Sequence, residues 1–456
     1  MLLLLPDREP DLSWQRERGS IARQAAGGWG TRFSNPGPRV RGKSGDHIKA
    51  HKQNNIRRTL TLIRRAETFS VAGISHAVRL SKTTVKKTID LLAGMNLVLS
   101  AGKGESTEEG GKKPELYRFN RNFGYVISIH VSPDSIMAVI ADLAGDITYY
   151  KRQEAPSDRG LESILGRLAE LVGGFVAMKA SSSEKLVAIV LAIPGLADSS
   201  RGVSIYSPHY PAWGRDAPIV ALLRARLGDG YDVPMFLDCV NRYQAIAERE
   251  KGVAAGVTDF IILDALNEGL GAGIITHGEL VRGSQSLSGE IGHMTLNPVD
   301  GPTCICGNRG CFEAMVSARR LRDLIAGARA RGVSSELFTA GAPREIGIDT
   351  VCELAARGDE FCRTLVDDAA RWFTVGLGNV IMVNDPELIV IQGLYCAAGA
   401  AFLDKLRSGI RHVGLPDVEK KVRIEYSTLG EERGVIGGAA FAIADFFDHQ
   451  LVFRSS

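Results

Sequence analysis

The sequence predicts an α/β protein of two similar lobes, preceded by a smaller helical domain. Three observations lead to this fold class. The chain has 456 residues and 45% apolar content, which is enough to bury two or three hydrophobic cores. Strand-like runs alternate with helices in two successive halves, which begin near Tyr125 and near Asp259. Residues 47–120 have instead a helical period and many basic side chains.

Composition limits the possible classes of partner and compartment. The net charge is only +3, so nucleic-acid binding would depend on local clusters of basic residues. The apolar start Met1–Leu5 is too short for a secretory signal, and no run approaches the roughly eighteen apolar residues of a membrane span. The seven cysteines, without a signal, point to a reducing compartment. We therefore expect a cytoplasmic protein with no membrane partner.

Residues 1–46 mix Arg, Gly, Ser and Pro without any period, which predicts a disordered leader. Its basic residues could contact DNA, but a solvated tail is the favoured interpretation. The segment could also result from an over-extended start.

Residues 47–120 have the spacing of a winged helix-turn-helix domain. Ile56, Leu60 and Ile63 recur every three or four residues, which predicts a first helix. Ser70 and Ser81 are good N-cap residues, and each should begin a short helix with a tight turn between the two. Two short helices joined in this way are typical of a helix-turn-helix.

The second of these helices has a polar face suited to DNA. Val85, Ile89 and Leu92 should point inward, leaving hydroxyl and ammonium groups that can reach bases and phosphates. Strands at Leu97–Ser100 and Leu116–Phe119 should flank a polar wing loop. The predicted DNA contacts are Ser81, Lys82, Thr83, Thr84, Lys86 and Lys87 on the helix, with Lys112 and Lys113 on the wing. The alternative is a solvated helix of a protein-interaction module.

The glycine-rich loop 288–313 carries a predicted metal site. Its three cysteines have C-x-C-x4-C spacing and follow a histidine, and three thiolates with one imidazole form the closed set that structural zinc prefers. The alternative is a group of buried or disulfide-prone cysteines beside an unrelated histidine. A disulfide between the first two cysteines would be strained, and Gly307 and Gly310 allow tight folding around an ion. The predicted zinc ligands are His293, Cys304, Cys306 and Cys311.

The same loop contains G-E-I-G-H followed by C-x-C-G-N-x-G-C-x-E, a combination that resembles the ROK family (repressor, open reading frame, kinase). Weaker matches are I-P-G at 193, L-G-A-G-I-I at 270 and P-E-L-I-V-I-Q-G at 386. The resemblance runs from Ile56 to the C-terminus and is strongest to the branch of the xylose and N-acetylglucosamine repressors. It implies an actin-like, ribonuclease-H-like pair of lobes over residues 121–456 that closes over a sugar.

Kinases of the family use three elements, and this chain departs from all three. The phosphate-binding turn, Asp-x-Gly-Gly-Thr in the family, is Ile129–Pro133 here and has neither the Asp nor the glycines. Alignment on Asn241 places Cys239 where the family has its general base, and a one-residue shift that favours Asp238 would break that match. The Gly-Thr-Gly turn is Asn267–Gly269, with a glutamate in the middle. The resemblance therefore predicts a protein without kinase activity.

The residues that contact sugar in the family match this sequence better than the kinase elements do. The resemblance implies that Glu290, His293 and Glu313 hydrogen-bond sugar hydroxyls, for which carboxylates are well suited. His293 could bind zinc through one ring nitrogen and the ligand through the other. Asp238 and His209 are further candidate contacts at positions that depart from the family pattern. The alternative for both glutamates is a surface or capping role.

These predictions combine into a sugar-responsive transcriptional repressor. It would bind a pseudo-palindromic operator as a homodimer, carry one structural zinc ion, and change its operator affinity when a sugar or sugar derivative occupies the cleft. The alternative is an ATP-dependent sugar kinase with a DNA-binding appendage. A regulator that responds to a protein partner is a third class, for which the sequence has no feature of its own.

Overall fold

The computed structural model describes most of the chain. The described residues are 55–104, 113–266, 269–339, 346–415 and 417–450, except positions 57 and 65. The predicted disordered leader and the predicted DNA contact Lys112 lie outside them, as do Asn267 and Glu268.

The N-terminal elements form two capped helices and a small antiparallel sheet of strand order β1-β3-β2. In chain order they are α1 (55–56 and 58–63), β1 (Phe69–Ser70), α2 (Val71–Val78), α3 (Lys82–Gly94), β2 (Val98–Lys103) and β3 (Glu115–Phe119). The Ser70 hydroxyl accepts a hydrogen bond from the Gly73 amide, and the Ser81 hydroxyl accepts one from the Thr84 amide, both at 3.1 Å. Both predicted N-caps are therefore confirmed. The two-residue strand β1 was not predicted, because so short a strand has no sequence period.

These elements share a hydrophobic core with the end of the chain. Val85, Ile89 and Leu92 are fully buried, as predicted. Phe119, at the end of β3, lies 6.0 Å from Phe447 between ring centroids, and the two rings belong to the same buried cluster as the α3 residues.

Two five-stranded sheets with the same topology form the two lobes. The first has the order β10-β7-β4-β5-β6 and the second has the order β15-β14-β11-β12-β13. In each sheet the first three strands along the chain are antiparallel and the last two add in parallel. The first-sheet strands are β4 (Gly124–Val131), β5 (Ser135–Asp142), β6 (Ile147–Glu154), β7 (Lys185–Ile193) and β10 (Met235–Cys239). The second-sheet strands are β11 (Phe260–Leu266), β12 (Gly269–Thr276), β13 (Glu279–Leu280), β14 (Leu388–Gly393) and β15 (Arg423–Tyr426). The predicted repetition of one lobe by the other is confirmed. A separate hairpin is formed by β8 (Leu196–Asp198) and β9 (Val203–Tyr206).

Helices connect the parallel strands of each sheet. They are α4 (Leu161–Lys179), α5 (Ile219–Leu227), α6 (Val240–Lys251), α7 (Phe312–Val316), α8 (Ala318–Ala330), α9 (Ile348–Arg357), α10 (Glu360–Asn384), α11 (Gly399–Gly409) and α12 (Arg433–Asp445). α12 packs on the first sheet and on α6, and α6 also contacts β11 and β12. The α6–α12 approach needs Gly437, since a Cβ there would lie 1.6 Å from the Tyr243 carbonyl oxygen. Among the described residues, no helix is both long enough and apolar enough to cross a membrane.

Candidate metal centre and adjoining pocket

The loop that follows β13 folds tightly on itself. The Leu296 and Asn297 amides both donate to the Gly310 carbonyl, at 2.7 and 3.1 Å. Gly310 has φ +67°, and a Cβ there would lie only 1.7 Å from the Asn297 carbonyl oxygen. A glycine is therefore required at this position. The Cys304 amide donates to the Asn308 carbonyl at 2.8 Å, which closes a turn that begins at the first cysteine of the loop and contains Cys306.

This folding brings the four predicted metal ligands together. One donor atom from each of His293, Cys304, Cys306 and Cys311 lies within 4.8 Å of all the others. The Sγ atoms of Cys306 and Cys311 are 3.7 Å apart, and Nδ1 of His293 is 3.7 Å from Sγ of Cys304. Tetrahedral zinc with Zn–S bonds of about 2.3 Å sets its sulfur ligands about 3.8 Å apart. The donor set therefore fits a structural zinc ion. None of the seven cysteines forms a disulfide.

The imidazole of His293 faces two ways. Nδ1 lies beside Cys304, whereas Nε2 lies 4.0 Å from the Glu290 carboxylate. Glu290 and His293 are both about one-third exposed, at 35% and 34% of their side chains. Burial raises the pKa of Glu290 above its ordinary value, and the nearby Glu313 carboxylate adds to this effect.

Glu313 connects the metal loop to the second sheet. It lies in the first turn of α7, where Oε2 accepts a hydrogen bond from the Leu270 amide at 3.1 Å. Its other oxygen, Oε1, is 3.8 Å from Sγ of Cys304. His209 belongs to the loop before α5, and a Cβ built on Gly269 would lie 3.8 Å from its Nε2. The two glutamates, His293 and His209 thus surround the start of β12; we call these four residues the candidate pocket.

Asp238, at the end of β10, has partners other than the candidate pocket. The side chain is fully buried. Its Oδ1 accepts hydrogen bonds from Arg242 at 2.6 Å and from the Cys239 amide at 2.9 Å, and Oδ2 accepts one from Nε of Arg282 at 2.9 Å. Both oxygens of this predicted ligand contact are therefore engaged by arginines. Sequence reasoning missed Arg242 and Arg282; the i,i+4 spacing of Asp238 and Arg242 was the available signal.

Two of the positions that the resemblance aligns with kinase elements, the turn after β4 and Cys239, lie among the described residues. After β4, the Ser132 hydroxyl donates to the Ser135 carbonyl at 2.8 Å and closes the turn. Complete burial lowers the pKa of His130 to about 4, so the ring is neutral near pH 7. Burial likewise raises the pKa of Cys239 to about 12, which keeps it a thiol.

Some of the predicted DNA contacts are exposed side chains, and others form hydrogen bonds within the protein. Lys82, Thr83 and Lys87 are exposed on α3, and Lys113 is exposed beside β3. Lys86 is held by Asp90 at 2.5 Å and by the Tyr117 hydroxyl at 3.3 Å. The hydroxyls of Ser81 and Thr84 lie 2.8 Å apart and bond to each other. The exposed side chains Lys82, Thr83, Lys87 and Lys113 are therefore only part of the predicted set of DNA contacts.

Comparisons with known proteins agree with the resemblance seen in the sequence. The sequence model described as "ROK family" matches residues 126–445. The chain is 28% identical to the xylose repressor of Caldicellulosiruptor bescii over 394 residues, which are 86% of this chain and 96% of that repressor. It is also 28% identical to the glucokinase of Thermotoga maritima over 285 residues, which are 62% of this chain and 86% of that kinase. A solved ROK family transcriptional regulator, a homologue of the E. coli MLC protein, has a TM-score of 0.74 and 23% identity over 90% of this chain and 99% of its own. The predicted two-lobed α/β fold is therefore confirmed.

Proposed function

The chain belongs to the ROK family, and from that membership we propose that it is a transcriptional repressor whose operator affinity is set by a sugar. One observation carries the choice between regulator and kinase. The xylose repressor matches 394 residues, whereas the glucokinase matches 285. The longer match must include residues of the N-terminal region, which the shorter match can leave out. In that region capped helices precede an antiparallel pair of strands, which is the element order of a winged helix-turn-helix.

DNA binding is assigned to residues 47–120 acting as a winged helix-turn-helix. The exposed α3 side chains Lys82, Thr83 and Lys87 would enter the major groove, with Ser81, Thr84 and Lys86 beside them. Lys113 and Lys112 would contact phosphates from the wing. The protein would act in the cytoplasm as a homodimer on a two-fold symmetric site.

The sugar is assigned to the candidate pocket. Glu290 and Glu313 supply carboxylate acceptors for sugar hydroxyls, and Nε2 of His293 is directed toward Glu290 and away from the metal ligands. Zinc on Nδ1 would fix the orientation of this ring, as partners of a histidine commonly do. His209 would contact the sugar from the first lobe. Binding changes operator affinity only if the sugar prefers one arrangement of the lobes.

The kinase alternative rests on the match to a glucokinase. Against it stands the chemistry at the three kinase elements. A fully buried thiol with a pKa near 12 stands where the family base is expected, and the phosphate turn has neither Asp nor glycine. We therefore assign no catalytic residue.

Selection of operators from random-sequence DNA tests the regulator assignment directly. The protein should bind the selected site far more tightly than random DNA at physiological salt, and one sugar of a hexose, pentose and aminosugar panel should weaken that binding. Equal affinity for selected and random DNA would overturn the assignment. Sugar-dependent ATP turnover that is abolished by Asp238→Asn would favour the kinase.

A further inference from the structure

Arg242 is a buried arginine that crosses from the first lobe to the second. It lies in the first turn of α6, with 1% of its side chain exposed, and pairs with the equally buried Asp238. Its Nη2 donates to the Ser286 carbonyl at 2.6 Å and approaches the Ser288 carbonyl at 3.4 Å. Asp238 and Arg242 belong to the first lobe, whereas Ser286 and Ser288 follow β13 of the second sheet.

Arg282 completes the same cluster from the second lobe. Its Nε donates to Oδ2 of Asp238 at 2.9 Å, while a third of the side chain stays exposed. We call Asp238, Arg242 and Arg282 the arginine clamp. One buried carboxylate thus orients two arginines, and together they hold segment 282–288 at its first residue and near its end. Fixed, forked donors of this kind give arginine an orienting role that lysine does not reproduce.

Segment 282–288 is bonded both within itself and to the clamp. The Ser288 amide donates to the Arg282 carbonyl at 3.3 Å, and the Leu287 carbonyl accepts a hydrogen bond from the Glu290 amide at 3.2 Å. The outer side of the segment borders an open cavity of about 470 Å³, and Leu287 is 53% exposed. Ser286 has φ +59°, which is uncommon for a serine. Among the described residues, the bonds from Arg242 are the side-chain hydrogen bonds that tie the carbonyls of this part of the segment to another element.

The segment leads directly into the candidate pocket. Gly289 follows Ser288, and its carbonyl accepts a hydrogen bond from the Ala272 amide at 2.9 Å. A Cβ at Gly289 would lie 2.3 Å from the Ala272 carbonyl oxygen, so the chain passes β12 at the closest possible distance. Glu290 comes next. Its position is thus set by the clamp on one side and by β12 on the other.

We propose that Arg242, oriented by Asp238, is a positioning residue of the effector pocket, which places Glu290 by fixing the backbone of Ser286 and Ser288. Asp238 then acts on the pocket through its arginines and does not itself contact the sugar. The clamp also joins Asp238, at the end of a first-sheet strand, to Arg282, which follows the second-sheet strand β13. This inference rests on the proposed function, because it assigns Glu290 to a sugar pocket.

Arg242→Lys is the informative variant, because it keeps the buried positive charge beside Asp238 but cannot reach both carbonyls. Hydrogen–deuterium exchange without any sugar should be faster at residues 286–290 in this variant than in the wild-type protein. Affinity for D-xylose or D-glucose, whichever the wild-type protein binds, should fall roughly tenfold by isothermal titration, as expected for losing one charge-assisted contact. Zinc content and affinity for operator DNA without sugar should stay within about twofold.

Arg201→Lys is the matched control. Arg201 borders the same cavity and pairs with Asp198 and Asp216, but makes no bond to segment 282–288 among the described contacts. It should match the wild-type protein in every measurement. If Arg242→Lys loses its zinc or unfolds, Arg282→Gln replaces it, since this partly exposed member of the clamp should also speed exchange at 282–288.

Three results would overturn the inference. If hydrogen exchange at residues 286–290 is unchanged in Arg242→Lys, Arg242 does not position this segment. If exchange is faster but the sugar affinity of the variant is undiminished, the segment does not position the pocket. Effects of Asp238→Asn and Arg242→Lys that add independently would also contradict it, because members of one unit are non-additive. A wild-type protein that binds no sugar of the hexose, pentose and aminosugar panel counts against the proposed function, whereas exchange at 286–290 decides the clamp by itself.

Discussion

At the scale of single residues, His293 joins the metal centre to the candidate pocket. Its Nδ1 lies beside Cys304 and its Nε2 faces Glu290. A metal ion on the first nitrogen leaves the second as the only one available to a ligand. The zinc ion would therefore determine which way the ring presents its hydrogen-bonding group, although it would not contact the sugar.

Removal of one metal ligand should release zinc. We expect Cys304→Ser to lower the zinc content from about one per chain to a small fraction, and to lower the melting temperature because metal binding contributes to folding. Elemental analysis and thermal unfolding are the measurements. Cys396→Ser, which changes a half-buried cysteine outside the cluster, should keep its zinc. Wild-type protein with far less than one zinc per chain would remove the basis for this prediction.

Glu290 should dominate sugar affinity. Replacing its carboxylate in Glu290→Gln removes a charged acceptor, and we expect affinity for the sugar to fall about 10- to 100-fold, as is typical when a charge-assisted hydrogen bond is lost. Isothermal titration measures the change. Glu353→Gln, at an exposed position of α9, is the control. Equal affinity in the two variants would place the sugar elsewhere.

His130 should make stability depend on pH. Its pKa is about 4 in the folded protein, against an ordinary value of 6.5, so the unfolded chain binds more protons between these values. Stability is therefore lost as pH falls through this window, and His130 alone should cost about 2 kcal/mol between pH 7 and pH 5. Urea unfolding of the wild-type protein and of His130→Gln at both pH values measures the difference. The same pH dependence in both proteins would show that the pKa of His130 does not differ between the folded and the unfolded protein.

At the scale of elements, α3 shows how packing selects among predicted contacts. The helical period predicts that Val85 and Ile89 are buried and that the lysines are exposed, and both predictions are confirmed. The period did not show that Lys86 is bound by Asp90 and by Tyr117 of the neighbouring strand β3. These hydrogen bonds raise the pKa of Lys86 above its ordinary value. The two adjacent lysines of the helix should therefore differ in their contribution to DNA binding.

Lys87→Ala should weaken operator binding more than Lys86→Ala. Lys87 is exposed, and among the described residues it has no ion-pair partner to give up. It can therefore neutralise a phosphate fully, and its loss should reduce the slope of log affinity against log salt by about one. Fluorescence anisotropy at several salt concentrations measures both slopes. Identical slopes for the two variants would show that Lys86 leaves Asp90 when DNA binds.

At the scale of the whole molecule, the two ends of the described chain pack against each other. Phe447 contacts Phe119 at the end of β3, and the Arg64 guanidinium lies 4.8 Å above the Phe447 ring. Arg64 also donates to the Leu143 carbonyl of the first lobe at 3.1 Å. The last helix, α12, reaches Asp264 of the second sheet through Arg433 at its other end. Thus α12 contacts the second lobe through Arg433, and the helical turn Phe446–Gln450 that directly follows it contacts the proposed DNA-binding elements through Phe447.

Phe447→Ala should therefore impair both stability and DNA binding. Loss of a buried phenylalanine costs about 3–5 kcal/mol, and the elements around Phe119 should lose their fixed position. Phe373→Ala, at a fully buried site of the second lobe, should cost a similar free energy of unfolding without a specific effect on operator affinity. Urea unfolding and operator titration at a temperature where both variants are folded compare them. Equal operator affinities would show that this contact serves stability alone.

Local patterns in the sequence determined several features of the protein. The caps at Ser70 and Ser81 and the strand–helix order needed only neighbouring residues. The metal ligands lie within 19 positions, from His293 to Cys311, so the glycine-rich loop alone could bring them together. The repeat of the two lobes was also visible, because each repeats the same order of strands and helices.

Only the tertiary structure decided which partners the polar groups take. The sequence predicted Asp238 as a ligand contact but did not show that Arg242 and Arg282 bond to its oxygens, and Arg282 lies 44 positions along the chain. The pairing of Lys86 with Tyr117 and the contact of Phe119 with Phe447 likewise depend on distant segments. Periodicity reports which face of an element is buried. The partner of a buried charge is fixed by the packing of whole elements, because the desolvated group must find its counter-charge wherever the fold provides it.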